Sequence, residues 1–259
     1  MIYTRQKGNG AAYYRFESLA AFSEIDHAIF TRRYGFSPQP FDSLNVSLGI
    51  GDAKTNVARN RGLVHRSMAG SGFVYIHQVH GDKVAVLKGD GAMPGGTTDA
   101  AAIKADALVT DLLGKYLVIQ VADCQAVLLY DPVRRVVANV HCGWRGSLLN
   151  IIGRTLIEMS LEFDCRPERI RAGIGPSLGP CCAEFVNYQA EIPADLWGYK
   201  DARDHFDFWA ISRDQLIRAG VAAENIEISR ICTRCRTDEF YSYRAEKTTG
   251  RFAAVIGIR

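Results

Sequence analysis

Three side chains able to bind a metal, or to act as nucleophile and base, stand at the ends of apolar runs: His80, Cys124 and His141. His80 closes Tyr75-Ile-His77-Gln-Val-His80-Gly81, Cys124 closes Val118-Ile-Gln-Val-Ala-Asp123-Cys124, and His141 closes the run from Val136 just before Cys142-Gly-Trp-Arg-Gly146. Each therefore follows a β-type stretch and precedes a turn or glycine, the place where α/β proteins put their chemistry. Catalytic zinc takes three protein ligands of these types and leaves a fourth position open. Separations of 44 and 17 residues are too wide for a zinc finger but normal for ligands from separate strands. Spacing leaves two other readings open. The residues could be buried strand ends, since free cysteine is among the most buried types, or Cys124 and His141 could be a nucleophile–base pair oriented by Asp123 or Gln78.

The elements that would carry these residues are strand-rich. Ala28–Thr31, Phe73–Val79, Lys83–Leu87, Ala107–Val109, Leu117–Ala122, Ala126–Tyr130, Val136–Val140, Ile170–Ile174, Ile226–Ile231 and Phe252–Ile258 read as strands. His80-Gly81-Asp82 reads as a hairpin-like turn between its flanking strands, and Gly89–Thr98 as a mobile glycine-rich flap. Helices are expected from Thr55 or Asn56 to Met68, from a Ser147 cap to Phe163, at Cys181–Phe185, and from Asp207 or Phe208 to Ala219. Leu148, Ile152, Leu156 and Met159 make the apolar stripe of the second. Strands and helices mix without strict alternation, so the expected fold is α/β (mixed α+β): a single-domain sandwich with a mixed β-sheet flanked by helices, over residues 1–259, with 1–12 a loose N-terminal extension.

Thirty-one basic against 28 acidic residues, scattered without a run, argue against a dedicated nucleic-acid or membrane surface and leave room for a local anion pocket. No stretch reaches the roughly 18 apolar residues of a membrane span, and no leader pattern opens the sequence, so a cytoplasmic protein is expected. Seven irregularly spaced cysteines fit reduced thiols better than a disulfide framework. Cys232-Thr-Arg-Cys235 could be a redox pair or half a zinc site, yet no second CxxC stands nearby to complete one.

Read as motifs, the chain says more. Phe30-Thr-Arg-Arg33, Phe41-Asp-Ser-Leu-Asn45, Gly51-Asp52, Asn60-Arg61, Gln78-Val-His80-Gly81, Ala105-Asp-Ala-Leu-Val-Thr110, Ala122-Asp-Cys124, His141-Cys-Gly-Trp-Arg-Gly146, Gly173-Ile-Gly-Pro176 with Gly179-Pro-Cys-Cys182, and Phe240-Tyr-Ser-Tyr-Arg244 with Thr249-Gly-Arg251 occur in this order. This pattern resembles the laccase-domain family, described variously as polyphenol oxidases, peptidoglycan-editing factors and zinc-dependent purine nucleoside phosphorylases. The resemblance implies a zinc held by His80, Cys124 and His141. It also implies phosphorolysis of adenosine, inosine, guanosine and methylthioadenosine, and hydrolytic deamination of adenosine. Two departures stand out: Cys142 where the family has a small residue, which could alter metal choice or oxidation sensitivity, and Cys235, which lies outside the pattern.

The implied chemistry assigns further roles. Deamination needs a hydroxide equivalent and a proton shuttle, for which Asp123 and His77 are the candidates in the absence of an adjoining Glu. Phosphorolysis needs an anion cradle, with Arg145 near a helix N-terminus the most natural ligand and Arg61 and Arg244 as alternatives. Asn45 could bind ribose or base, or cap a turn; Trp144 and Tyr241 could stack on a base, or simply pack. Nucleoside and phosphate are thus the expected partners. Two other functions compete: an amidase or hydrolase editing cell-wall precursors through Cys124 or a zinc site, and copper-dependent phenol oxidation. Copper could enter the His₂Cys set in vitro, but six histidines and no His-x-His pair are too few for a multicopper centre.

Overall fold

The computed structural model describes residues 1–5, 10–68, 70, 72–89 and 103–259. Among them twelve strands run in chain order: β1 (Ile2–Arg5), β2 (Ala12–Arg15), β3 (Ile25–Phe30), β4 (Gly72–Tyr75), β5 (Val84–Leu87), β6 (Ala107–Thr110), β7 (Lys115–Val121), β8 (Gln125–Asp131), β9 (Val136–Cys142), β10 (Arg171–Ile174), β11 (Ile226–Ile228) and β12 (Phe252–Ile258). They form two six-stranded mixed sheets, ordered β1-β2-β3-β12-β7-β4 and β11-β10-β8-β9-β6-β5. The expected sandwich is present, but it is built from two mixed sheets instead of one.

The period-two alternation of each strand sorts its side chains between two cores. Leu117, Ile119 and Val121 of β7 meet Leu128 and Tyr130 of β8 and Phe252, Ala254 and Ile256 of β12 between the sheets. On the outer face of the first sheet, Tyr116, Val118 and Val255 pack with Leu63 and Val64 of helix α2 (Lys54–Arg66), which follows the four-residue α1 (Glu17–Ala20). Outside the second sheet, Val127, Leu129, Ala138 and Val140 pack on Ile152, Leu156 and Met159. The result is four layers, α/β/β/α, in which central strands are covered on both faces and read as unbroken apolar runs. Each large side chain fully buried in this way contributes about 1.5–3 kcal/mol. One polar tie crosses the inner layer: the buried Asn139 amide donates to the carbonyls of Leu117 and Ala254, both at 2.9 Å.

Several local expectations change. His80-Gly81-Asp82 is not a hairpin turn, because β4 pairs in parallel with β7 of the first sheet and β5 in parallel with β6 of the second; the segment crosses between sheets. The long helix from Ser147 is two helices, α3 (Trp144–Leu148) and α4 (Ile151–Phe163), separated by Asn150, whose left-handed backbone (φ 54°) turns the chain while its side chain accepts from the Gly153 N–H. Helix α2 starts at Lys54 without a side-chain cap, so neither Thr55 nor Asn56 caps it. Cys181–Phe185 is turn and bridge, and the short α5 (Tyr188–Glu191) lies beyond it. Asp207 does cap α6 (Phe208–Arg218), accepting from the Ala210 N–H, and Ser242 caps the short α7 (Tyr243–Glu246). Residues 2–5 are paired as an edge strand against 12–15 instead of trailing loosely. The flap expected at 89–98 lies outside the described residues apart from Gly89. No helix among the described residues is long and apolar enough to cross a membrane.

Candidate functional site

Two connections pass from the first sheet to the second at the same end of the sandwich: β4 to β5, carrying His77 and His80, and β7 to β8, carrying Asp123 and Cys124. The third contribution comes from the end of β9. There His141 shares the inward parity of Val137 and Asn139, whereas Cys142 turns toward the outer helical core. The ligand atoms of His80, Cys124 and His141 lie within 4.8 Å of one another, and the two imidazoles meet edge to face with centroids 4.8 Å apart. The trio is graded in exposure: His80 is open, Cys124 half-buried and His141 buried.

A buried carboxylate ties the pieces together. Asp106, fully enclosed just before β6, accepts His141 Nδ1–H at 2.8 Å through Oδ1, and the same oxygen accepts the His80 backbone N–H at 2.9 Å. Its Oδ2 accepts the N–H groups of Gly81 (2.8 Å) and Val79 (3.3 Å). Burial alone would raise the Asp106 pKa, but the His141 contact and these N–H donors outweigh it and keep the carboxyl below its ordinary range. Engaging Nδ1 leaves His141 Nε2 to face Cys124 and His80, the arrangement that orients a metal-bound imidazole in carboxylate–histidine–metal sites. Burial likewise opposes ionisation of Cys124 and His141, yet each favours the other's charged form: the thiol is pulled down and the imidazole up. A thiolate beside two histidines is a donor set suited to zinc or copper. Room for it depends on Gly143, where a Cβ would lie 2.9 Å from Cys124 Sγ and 3.3 Å from His80 Cδ2.

These residues open onto a cavity of about 440 Å³, whose walls include His77, Asp123, Tyr243, Arg244 and Arg251. Among the described residues neither arginine has a carboxylate within ion-pair distance. The Arg244 guanidinium instead donates to the Glu184 carbonyl at 2.9 Å, and that of Arg251 to the Thr249 and Gly250 carbonyls, both at 2.9 Å. Asp123, at φ 82°, accepts Thr233 Oγ1–H at 2.7 Å with one oxygen and the Arg244 backbone N–H at 2.6 Å with the other. Such a left-handed non-glycine residue is strained and is held by its surroundings.

Not every residue singled out in the sequence lies here. Arg145 is exposed on α3 with its guanidinium 4.2 Å above the Trp144 ring, and it does not line the cavity; the helix it begins points it outward. Arg61 lies behind the wall, its Nε donating to the Val46 carbonyl at 2.9 Å and its guanidinium over Tyr75. Asn45 is wholly buried and spends its amide on the chain itself: Nδ2 donates to Asp52 and Ser47, and Oδ1 accepts the Ser47 and Arg251 N–H groups. It thereby positions Arg251 and leaves no group for a nucleoside. Gln78 pairs its amide with both main-chain groups of Gln120, prolonging the β4–β7 ladder, and so does not orient Cys124. Tyr241 is buried with its hydroxyl on the Phe41 carbonyl, and Trp144 packs against Phe185. Cys142 contacts Ser147 Oγ at 3.3 Å, and burial pushes its thiol up to about 11, so it is an inert core thiol and not a neighbour of the open cavity. Asp106, Arg251 and Tyr243 carried no role in the sequence reading. All three stood inside quoted motifs, Ala105-Asp-Ala-Leu, Thr249-Gly-Arg251 and Phe240-Tyr-Ser-Tyr-Arg244, and that was their only signal.

A four-layer sandwich that brings a His-Cys-His set from two inter-sheet crossovers and the end of β9 to one cavity with two guanidinium groups, neither paired with a carboxylate among the described residues, is the arrangement of an enzyme. The chain belongs to the family described as multi-copper polyphenol oxidoreductase laccase, whose model matches residues 26–259. It is similar to a purine nucleoside phosphorylase of Bacteroides thetaiotaomicron, 32% identical over 88% of this chain and 89% of that protein. It is also similar to the purine nucleoside phosphorylase YlmD of Geobacillus stearothermophilus, 32% identical over 88% of each. The crystal structure of the latter superposes with a TM-score of 0.88 over 100% of this chain and 99% of that one, at 29% identity.

Proposed function

We propose that this chain is a zinc-dependent purine nucleoside phosphorylase, acting on adenosine, inosine, guanosine and methylthioadenosine, that also deaminates adenosine. The observation that carries the reading is the cavity itself, which sets a soft-metal donor trio beside Arg244 and Arg251, two cations with no carboxylate partner among the described residues. Two unneutralised guanidinium groups in one pocket suit a phosphate dianion. A cavity of about 440 Å³ suits a nucleoside.

His80, Cys124 and His141 would hold the zinc, which when bound supplies Lewis acidity and an activated water. The chain's own groups do the rest. Arg251, fixed by Asn45, and Arg244, fixed by Asp123 and the Glu184 carbonyl, seat phosphate toward the ribose carbon. Asp123, held by Thr233 and the Arg244 backbone N–H, fixes the segment that carries Arg244. His77 lines the cavity, is exposed, and has no side-chain hydrogen bond among the described residues, which frees its imidazole to carry a proton to or from the purine. Tyr243, half-exposed at the mouth, offers a face for the base. Zinc-loaded protein given inosine is expected to release hypoxanthine and ribose 1-phosphate only when phosphate is present. Hypoxanthine released at the same rate without phosphate would assign hydrolysis instead.

A second reading has its own observation. Cys124, His141 and Asp106 stand in line as thiol, base and orienting carboxylate, the constellation of a cysteine hydrolase, which would suit cleavage of a cell-wall precursor amide. In that case metal-free protein would turn over such amides and lose activity to a thiol alkylator. Neither result is expected from the zinc enzyme.

A further inference from the structure

A second group of sulfur atoms lies on the far side of the cavity wall. The Sγ atoms of Cys181, Cys182, Cys232 and Cys235 all fall within 4.8 Å of one another, with Cys235 Sγ 3.7 Å from Cys181 and 3.6 Å from Cys182. Four thiolates about 2.3 Å from a tetrahedral zinc stand about 3.8 Å apart, whereas a disulfide closes to about 2.05 Å. The missing half of Cys232-Thr-Arg-Cys235 is thus not a second CxxC but the adjacent pair Cys181-Cys182, some fifty residues earlier.

The backbone delivers the two halves together. Beyond β10 and β11 the parallel pairing continues through Ser229 N–H to the Ile174 carbonyl, Ser177 N–H to Ile231 and Thr233 N–H to Ser177. Gly179 ends this zipper with its N–H on Cys232 Sγ at 3.3 Å, a hydrogen bond of the kind that supports a thiolate ligand. Apolar burial does not account for the group, because Cys181 and Cys235 are exposed while Cys182 and Cys232 are buried. Arg230 and Arg234 flank the second pair in sequence and would offset part of the charge of a tetrathiolate, whereas Arg236 is already paired with Asp238 and Glu239.

We propose that Cys181, Cys182, Cys232 and Cys235 form a closed structural zinc site, separate from the His80–Cys124–His141 set. Binding releases the thiol protons to solvent and joins the 175–182 and 229–236 loops. Those loops hold the cavity wall: Thr233 donates to Asp123, and the Cys182 and Glu184 carbonyls accept from Arg244 at 3.4 and 2.9 Å. The four cysteines are therefore positioning residues for Asp123 and Arg244.

The test is metal content by mass spectrometry on full-length protein, loaded with zinc under reducing conditions and desalted. Wild type should carry about two equivalents, Cys235→Ser about one, Cys124→Ala about one, and the double variant none. Cobalt-loaded Cys124→Ala should show the visible absorption of a tetrathiolate, and Cys235→Ser should not. One equivalent in wild type, unchanged by Cys235→Ser and abolished by Cys124→Ala, would overturn the proposal. So would alkylation of freshly isolated protein that finds a Cys182–Cys235 or Cys181–Cys235 disulfide.

Discussion

The two sulfur-bearing groups of this protein sit on either side of one wall and differ in almost every respect. His80, Cys124 and His141 mix nitrogen with sulfur, draw on three separate strand ends, and face a cavity. Cys181, Cys182, Cys232 and Cys235 are all sulfur, draw on two adjacent loops, and do not line that cavity. Metal sites that do chemistry keep a position open, while structural ones close their coordination with protein. The contrast extends to support. The open trio needs the buried Asp106 to aim its histidine, because an imidazole has two nitrogens and a ring to orient; the thiol group needs only backbone N–H donors. One end of the sandwich thus carries both a reactive centre and the clamp that holds its wall.

The largest expected effect is removal of the open trio's one sulfur. Cys124→Ala should reduce nucleoside turnover to background while leaving the fold intact by circular dichroism. Gly143→Ala should come close to this, since the new Cβ would contact Cys124 Sγ and His80; zinc titration of the purified variant should show severe loss of affinity at the open site only. Next comes the split between two reactions. Arg251→Met should raise the KM for phosphate by about 10–100-fold, the worth of a charge-assisted contact, while phosphate-independent deamination changes little. An equal loss in both would show that Arg251 does not serve phosphate. Asp106→Asn should weaken zinc binding by about 10–100-fold without touching the thiol site.

The smallest effect concerns a histidine kept away from any metal. His27 is buried with Nε2 accepting the Phe16 N–H at 2.9 Å, and burial, aided by the Arg15 charge, pushes its pKa down to about 3. The unfolded chain takes up a proton there near pH 6.5 while the folded chain does not. The stability due to neutral His27 is therefore complete above about pH 6.5 and is lost progressively as pH falls toward 3, by up to a few kcal/mol. Urea titrations of wild type and His27→Gln across that range should converge at low pH; parallel curves would contradict the assignment.

Much of the open site was legible in the sequence because its residues close apolar runs, and β7, β8, β9 and β12 were legible for the same reason. What could not be read was pairing. A strand covered on both faces looks alike in one sheet or two, so the β4–β5 crossing passed for a hairpin, although that crossing is what carries His80 to Cys124. Asp106 and Arg251 looked like ordinary motif residues, since their roles arise only when β6 and β12 are brought beside distant loops. Arg145 had the right charge beside the right motif, but the helical turn at Trp144 directs it to solvent. The thiol group was hidden by its spacing, as Cys-Cys and Cys-x-x-Cys halves come together only through a zipper of main-chain bonds beyond β10 and β11.

The most direct test of the central reading uses zinc-loaded wild type and Cys124→Ala with adenosine, with and without phosphate, resolving adenine, inosine and hypoxanthine. The expected result is adenine that depends on phosphate and inosine that does not, both absent in the variant. Wild type fully loaded with zinc that leaves adenosine untouched under both conditions would contradict the account and move the assignment to the cell-wall amide.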